Sequence, residues 1–220
     1  MRLLKAQSDI IAVVLIVLIA IGLLAVAYTF GIPLIQKNQD QAVEERVKSS
    51  FNPSSVNSLP AKIEAAANSG GKDSITFDVA GVTRLYSGGF AGAENNSIEF
   101  SFQSSVTSYA ENQGWISTTS GSCSPPPGPG TIGQDDPSVV CVRADRTGAG
   151  LFNITYRLYL RELEDAEKES GFRINLLQHP ASSVIASGPN TNVRIEFGGR
   201  REVAQGNKNL IITDVKILLV

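Results

Sequence analysis

The sequence predicts an α+β protein: one long apolar helix at the N-terminus, then an all-β antiparallel sandwich. Three observations carry this. No charged residue lies between Ile10 and Gln36. Beyond residue 72 the apolar residues recur at every second position, the period of a strand with one buried and one polar face. The stretches between those runs are rich in Gly, Asn, Ser and Pro, which punctuate strands.

The uncharged run holds 27 residues, Ile10 to Gln36. At about 1.5 Å per helical residue it reaches roughly 40 Å, more than the ~30 Å hydrocarbon core of a bilayer. Gly22 and Gly31 weaken the helix, and Pro33 removes a backbone donor and crowds the carbonyl of Thr29, so a bend or loosened turn is expected over Thr29–Pro33. Beyond it, Val43, Val47 and Phe51 stand four apart, which leaves one narrow apolar stripe on an otherwise polar helix. Pro53 ends it, giving helix from about Ser8 to Asn52. Leu59–Asn68 reads as a short second helix before the Gly70-Gly71 break.

Alternation then marks the strands. Ile75, Phe77 and Val79 form the first set, and Ile98, Phe100 and Phe102 the next. The longest runs from Phe152 to Leu160. Phe172 to Leu176, Val193 to Phe197 and Ile211 to Leu219 complete the strong ones, with weaker candidates at Val82–Tyr86, Trp115–Thr118 and Val139–Val142. About eight or nine antiparallel strands of this kind suggest an immunoglobulin-like sandwich.

At 220 residues the chain suits one substantial domain plus the N-terminal segment. Its net charge of −2 gives no reason to expect nucleic acid, which would call for a clustered basic surface. Cys123 and Cys141 enclose a Pro- and Gly-rich loop, and in an exported domain they read as a disulfide; two buried free thiols are the alternative. His179, the only histidine, sits beside Pro180 in a predicted loop, which leaves a Ser–His–Asp site or a metal site without support. No cofactor is expected, and no enzyme. The acidic run Glu162, Glu164, Asp165, Glu167 and Glu169 reads as a solvated turn or hairpin tip; neither it nor Asp135-Asp136 matches a calcium loop. Gly188-Pro189 and Gly198-Gly199 read as hairpin punctuation, and Arg200-Arg201 as a basic pair in a turn. Asn95 and Asn153 satisfy the N-x-[ST] acceptor pattern, Asn153 on the expected water-facing side of the longest strand.

Three fates are open to the apolar run. A conventional secretory signal has a shorter apolar core and a small-residue cleavage site after it, which is not seen here. An uncleaved anchor would lie with Arg2 and Lys5 in the cytoplasm. The third fate is cleavage ahead of the run, and the order Lys5-Ala6-Gln7-Ser8-Asp9 favours it. This stretch resembles the class III signal peptide of archaeal type IV pilins and archaellins, a resemblance that covers about the first fifty residues. It implies a cut between Ala6 and Gln7 by a membrane peptidase, with Arg2 and Lys5 as leader cations. Residues 1–6 are then a leader, 7–52 a helix that spans the membrane and later forms the filament core, 53–72 a linker, and 73–220 the ectodomain. The fifth mature position, a glutamate in bacterial pilins, is Ile11, so the nearby Asp9 becomes the candidate contact for assembly.

The implied function is a structural subunit of an extracellular pilus for adhesion or surface attachment. Its partners are copies of itself, the prepilin peptidase, the assembly machinery, and the membrane before assembly. The alternatives are an archaellin, a minor pilin, or a monomeric membrane-anchored ectodomain that binds a ligand.

Overall fold

A computed structural model describes residues 2–88, 96–124, 127–148, 150–206 and 208–220, with the backbone alone for residues 2–11. Helix α1 (Arg2–Val26) runs through a π-helical turn (Ala27–Gly31) into α2 (Ile32–Phe51). The chain forms two compact units, Met1–Ala42 and Val43–Val220, so the division falls inside α2. The π turn sits where the bend is expected. Pro33 has no N–H to give Thr29, and in a regular α-helix its ring would crowd that carbonyl; the wider π turn relieves this.

In the second unit, α3 (Leu59–Ser69) is set by its ends. The Ser58 hydroxyl accepts from the Ala61 N–H at 3.4 Å, Pro60 occupies the first turn, and Gly70 at φ 72° closes the helix with an N–H to the Ala66 carbonyl. Twelve strands follow among the described residues: β1 (Lys72–Phe77), β2 (Gly81–Tyr86), β3 (Ser97–Ser104), β4 (Ile116–Ser117), β5 (Gly130–Thr131), β6 (Ser138–Gly148), β7 (Leu151–Leu160), β8 (Leu163–Glu164), β9 (Ser170–Gln178), β10 (Ile185–Gly188), β11 (Thr191–Gln205) and β12 (Lys208–Leu219).

They make two six-stranded sheets, β1-β11-β12-β9-β8-β5 and β10-β2-β3-β7-β6-β4. The second is antiparallel throughout. The first corrects the expectation of a wholly antiparallel fold, because β12 pairs with β9 in parallel, as does β5 with β8. Residue alternation is the same in both pairings, so the sequence pattern is blind to the difference.

The inner faces of both sheets share one core. Ile98, Phe100, Ile154 and Leu158 from one sheet meet Ile174, Val193, Ile195 and Val215 from the other, all at most 1 % exposed. Leu59 and Ile63 of α3 and Val47 and Phe51 of α2 enter the same cluster. Phe51 stacks on Phe77 at 5.7 Å and on Tyr156 at 5.4 Å between ring centroids, and Phe77 continues the stack to Phe100 at 4.5 Å. The end of the long helix is therefore a core element of the β unit.

One polar group ties the sheets together. Asn96, 1 % exposed, donates to the Leu160 carbonyl and to the Ile174 carbonyl, both at 2.8 Å. It also accepts from the Leu176 N–H at 2.7 Å. Gly198-Gly199, expected as hairpin punctuation, instead forms a β-bulge inside the continuous strand β11. Gly199 takes φ 133°, open to glycine, and a Cβ on Gly198 would lie 3.0 Å from the Asp214 carbonyl oxygen. Arg200 and Arg201 accordingly lie in a strand rather than a turn, Arg201 paired with Asp214.

Candidate functional site: an uncovered apolar helix and its anchor

The first unit presents a helix with no buried face. From Val13 to Ile35 the large apolar side chains are 41 to 73 % exposed, the extremes being Ile32 and Phe30. By length and composition it is the one helix among the described residues able to cross a membrane. Its one described side-chain polar contact in the apolar zone is internal: the Thr29 hydroxyl donates to the Ala25 carbonyl at 2.8 Å and lies 3.2 Å from that of Val26. Such back-bonding hides the hydroxyl and leaves the surface hydrocarbon-like.

The anchor of α2 in the second unit is chemically opposite. Val47 and Phe51 are 1 % exposed. Beside them Glu44 is also buried, its Oε1 accepting from the Ser108 N–H at 3.0 Å, while its Oε2 has no hydrogen-bond partner among the described residues. The Tyr109 and Tyr156 hydroxyls meet at 2.9 Å, and burial pushes both phenols above their ordinary range. Arg46 reaches Asp78 at 2.7 Å. The apolar stripe announces Val47 and Phe51; nothing in it marks Glu44, whose role depends on the loop that Ser108 belongs to.

The outer face of the β3–β7–β6 region departs from expectation. Thr155, Arg157 and Tyr159 stand on the polar side of β7, yet are at most 5 % exposed. Trp115 and Cys123, from the segment between β3 and β6, pack over the Arg157 and Tyr159 side of this face. Trp115 lies 4.5 Å from the Arg157 guanidinium and 4.9 Å from that of Arg143. Arg157 Nε donates to Glu99 at 3.0 Å and Nη1 to the Tyr159 hydroxyl at 2.9 Å. Burial works against the Arg157 cation, but these bonds outweigh it and hold the guanidinium above its ordinary value. The disulfide Cys123–Cys141 fastens the segment to β6, and Asp135 binds it further, accepting from the Thr131 N–H at 2.8 Å and from Arg161 at 3.2 Å.

Asn153 sits where this cover ends. It is half-buried between Gln103 and Asp145 on the adjoining strands, with its amide 3.4 Å from the Thr155 hydroxyl of its own acceptor triplet. Asn95 lies outside the described residues, as do the side chains of Arg2, Lys5, Ala6, Gln7 and Asp9; helix α1 is continuous through those five positions.

The acidic run is a hairpin tip between β8 and β9, but only in part a solvated one. Lys208 pairs with Glu162 and Glu164, while Asp165 closes the turn by accepting from the Ser170 hydroxyl and the Glu169 N–H, contacts that hold its carboxyl low. His179 caps a loop through Nδ1, 3.2 Å from the Ala181 N–H.

Comparison with protein-family models, with curated proteins and with solved structures finds no match for the chain.

Proposed function

We propose that this protein is a structural subunit of an archaeal type IV pilus, held in the membrane by its N-terminal helix and then assembled through that helix into an extracellular filament. One observation carries the reading. The exposed apolar surface continues to Ile35, and the uncharged run extends to Gln36, so an upright helix outruns a bilayer by about 10 Å. A lipid anchor would need a tilt at the top of the usual range to hide Phe30, Leu34 and Ile35. Packing against other copies of the helix covers the whole length at any tilt.

The Lys5-Ala6-Gln7-Ser8-Asp9 order supports the same reading, since a cut between Ala6 and Gln7 frees the N-terminus and keeps the helix. Asp9 then lies two residues from the new amino group, and pairing between neighbouring copies would offset part of the cost of charge in an apolar core. Contacts of this head-to-tail kind repeat without closing and produce a fibre. The reading is structural rather than catalytic. The β unit would form the filament's outer wall, suited to surface attachment, with Asn153 as a candidate glycan acceptor at its surface. The reading does not depend on an immunoglobulin-like arrangement of its two sheets.

Two measurements test this. Mass spectrometry of the mature protein should give a chain starting at Gln7, and electron microscopy should show surface filaments that vanish on deletion. A retained Met1 together with unchanged filaments would return the helix to the role of a plain membrane anchor.

A further inference from the structure

The outer face of the second sheet carries a hollow of about 530 Å³, and Asn153 is one of the residues that line it. The strand register places the two together. On β3, Phe100 and Phe102 turn into the core, so Ser101 and Gln103 face outward. Ser101 stands between Val82 of β2 and Thr155 of β7, and Gln103 stands opposite Asn153. Ala80, Gly81 and Gly188 also line the hollow and bring at most a methyl group each. Gly81 has no room to be larger, since a Cβ there would lie 2.5 Å from the Phe100 ring.

The two sides of Asn153 differ. Towards β6 its neighbour Asp145 is taken by Arg143 at 2.7 Å. Towards β3 and β2 lies the hollow, and a run of hydroxyls leads that way. The Asn153 amide is 3.4 Å from the Thr155 hydroxyl, which is 3.1 Å from that of Ser101. Three further lining residues supply mixed chemistry: Gln103 is exposed, Val82 is a half-buried aliphatic chain, and Arg84 reaches Glu99 through Nη1 at 3.2 Å. A sugar matches this set. Its C–H face can lie on an aliphatic chain, and its hydroxyls can accept from amide and guanidinium N–H groups.

We propose that Asn153 carries an N-linked glycan whose first sugars fold back into this hollow and cover β2 and the end of β10. In the linking step Nδ2 bonds to C1 of a saccharide carried on a lipid phosphate. The C1–oxygen bond to the phosphate breaks, and one amide proton leaves to solvent. Because the sugar is tethered to a residue that lines the hollow, seating it needs no encounter between separate molecules, and much of the usual entropy cost of binding is avoided. The seated sugar shields β10, a four-residue strand at the edge of its sheet.

The inference rests on Asn153 being a glycan acceptor, and the experiment separates the two. Full-length protein from its own cells is compared in detergent with Asn153→Gln. Mass spectrometry of the peptide that contains Asn153 reads occupancy, and hydrogen exchange reads the seat. Asn153 should be glycosylated, and backbone exchange in β2 and β10 should be about tenfold slower than in Asn153→Gln, with β9 and β12 unchanged. Gln103→Ala, at an exposed position, should keep the glycan and lose part of that protection. A glycosylated Asn153 with equal exchange in β2 and β10 of both proteins would overturn the seat while leaving the acceptor intact. An unmodified Asn153 would remove both.

Discussion

Two lengths of the same helix teach most about this protein. From Val13 to Ile35 every large apolar side chain is open, whereas eight to sixteen residues further on Val43, Val47 and Phe51 turn one stripe into the β unit, the last two to 1 % exposure. Both lengths bury hydrocarbon, but only the second does so within its own chain. The first has no cover within the described chain, and lipid or other copies would supply it on the proposed reading. If the helix assembles as proposed, stability of the fold and stability of the assembly are separated along one element, and substitutions should divide accordingly.

The largest effect on folding should come from Phe51→Ala. Truncating a fully buried aromatic that stacks on Phe77 and Tyr156 should lower unfolding free energy by about 3–5 kcal/mol. Chemical denaturation of the full chain in detergent measures it, and a loss under about 1 kcal/mol would show that the helix end is not part of the core. Next stands Asn96→Ala, at about 3 kcal/mol, since it strands the Leu160 and Ile174 carbonyls and the Leu176 N–H between the sheets. The C123A/C141A double variant should cost a similar ~3 kcal/mol on the chain-entropy estimate for a loop of this size. It should also raise the fluorescence sensitivity of Trp115 to quenchers, because the segment that disulfide fastens carries that indole.

A smaller, pH-dependent effect belongs to Glu64. Burial raises its carboxyl above the ordinary value of 4.5, with the Ser138 hydroxyl bond working the other way. The folded state therefore keeps a proton that the unfolded chain has already released. Its contribution to stability is complete below pH 4.5 and falls as pH rises through the folded value. Glu64→Gln keeps an acceptor for Ser138 and should gain under about 1 kcal/mol at neutral pH, with a flatter stability–pH curve above 4.5. A change of slope below that pH instead would place the effect on another group.

The smallest folding effect is expected from Leu24→Ala. Leu24 is 58 % exposed in the uncovered length, so unfolding of the β unit should shift by under about 0.5 kcal/mol. If filaments form as proposed, the same variant should lower the temperature at which they dissociate. If it instead destabilised the β unit as Phe51→Ala does, the contrast between the two lengths would be lost.

How far the sequence could be read follows from where burial came from. Val47 and Phe51 were legible because a helix that docks on one side must repeat its apolar residues near every fourth position. β7 was legible as a strand, but its polar side was expected to meet water. Arg157 and Tyr159 are covered by a segment some forty residues earlier in the chain, and no local pattern records that. The same cover explains why Val139-Val140-Cys141-Val142 reads as only a weak candidate. Both its faces are buried, Val139 and Cys141 beneath the loop and Val140 and Val142 in the core, so the alternation that marks half-buried strands is missing. Asn96 shows the limit in polar form: the acceptor triplet beginning at Asn95 is a visible motif, while the sheet-bridging amide beside it belongs to no pattern.

By itself the sequence determined the helix, its interruption at Pro33, the change of period near residue 72 and the cysteine pair, because each depends on residues close in the chain. Only the tertiary structure decided that β12 pairs with β9 in parallel and that a polar strand face is covered. It alone also placed the last turns of a membrane-length helix in a β core. Those outcomes are fixed by contacts between distant segments, whose side chains alternate in the same way whichever neighbour they meet.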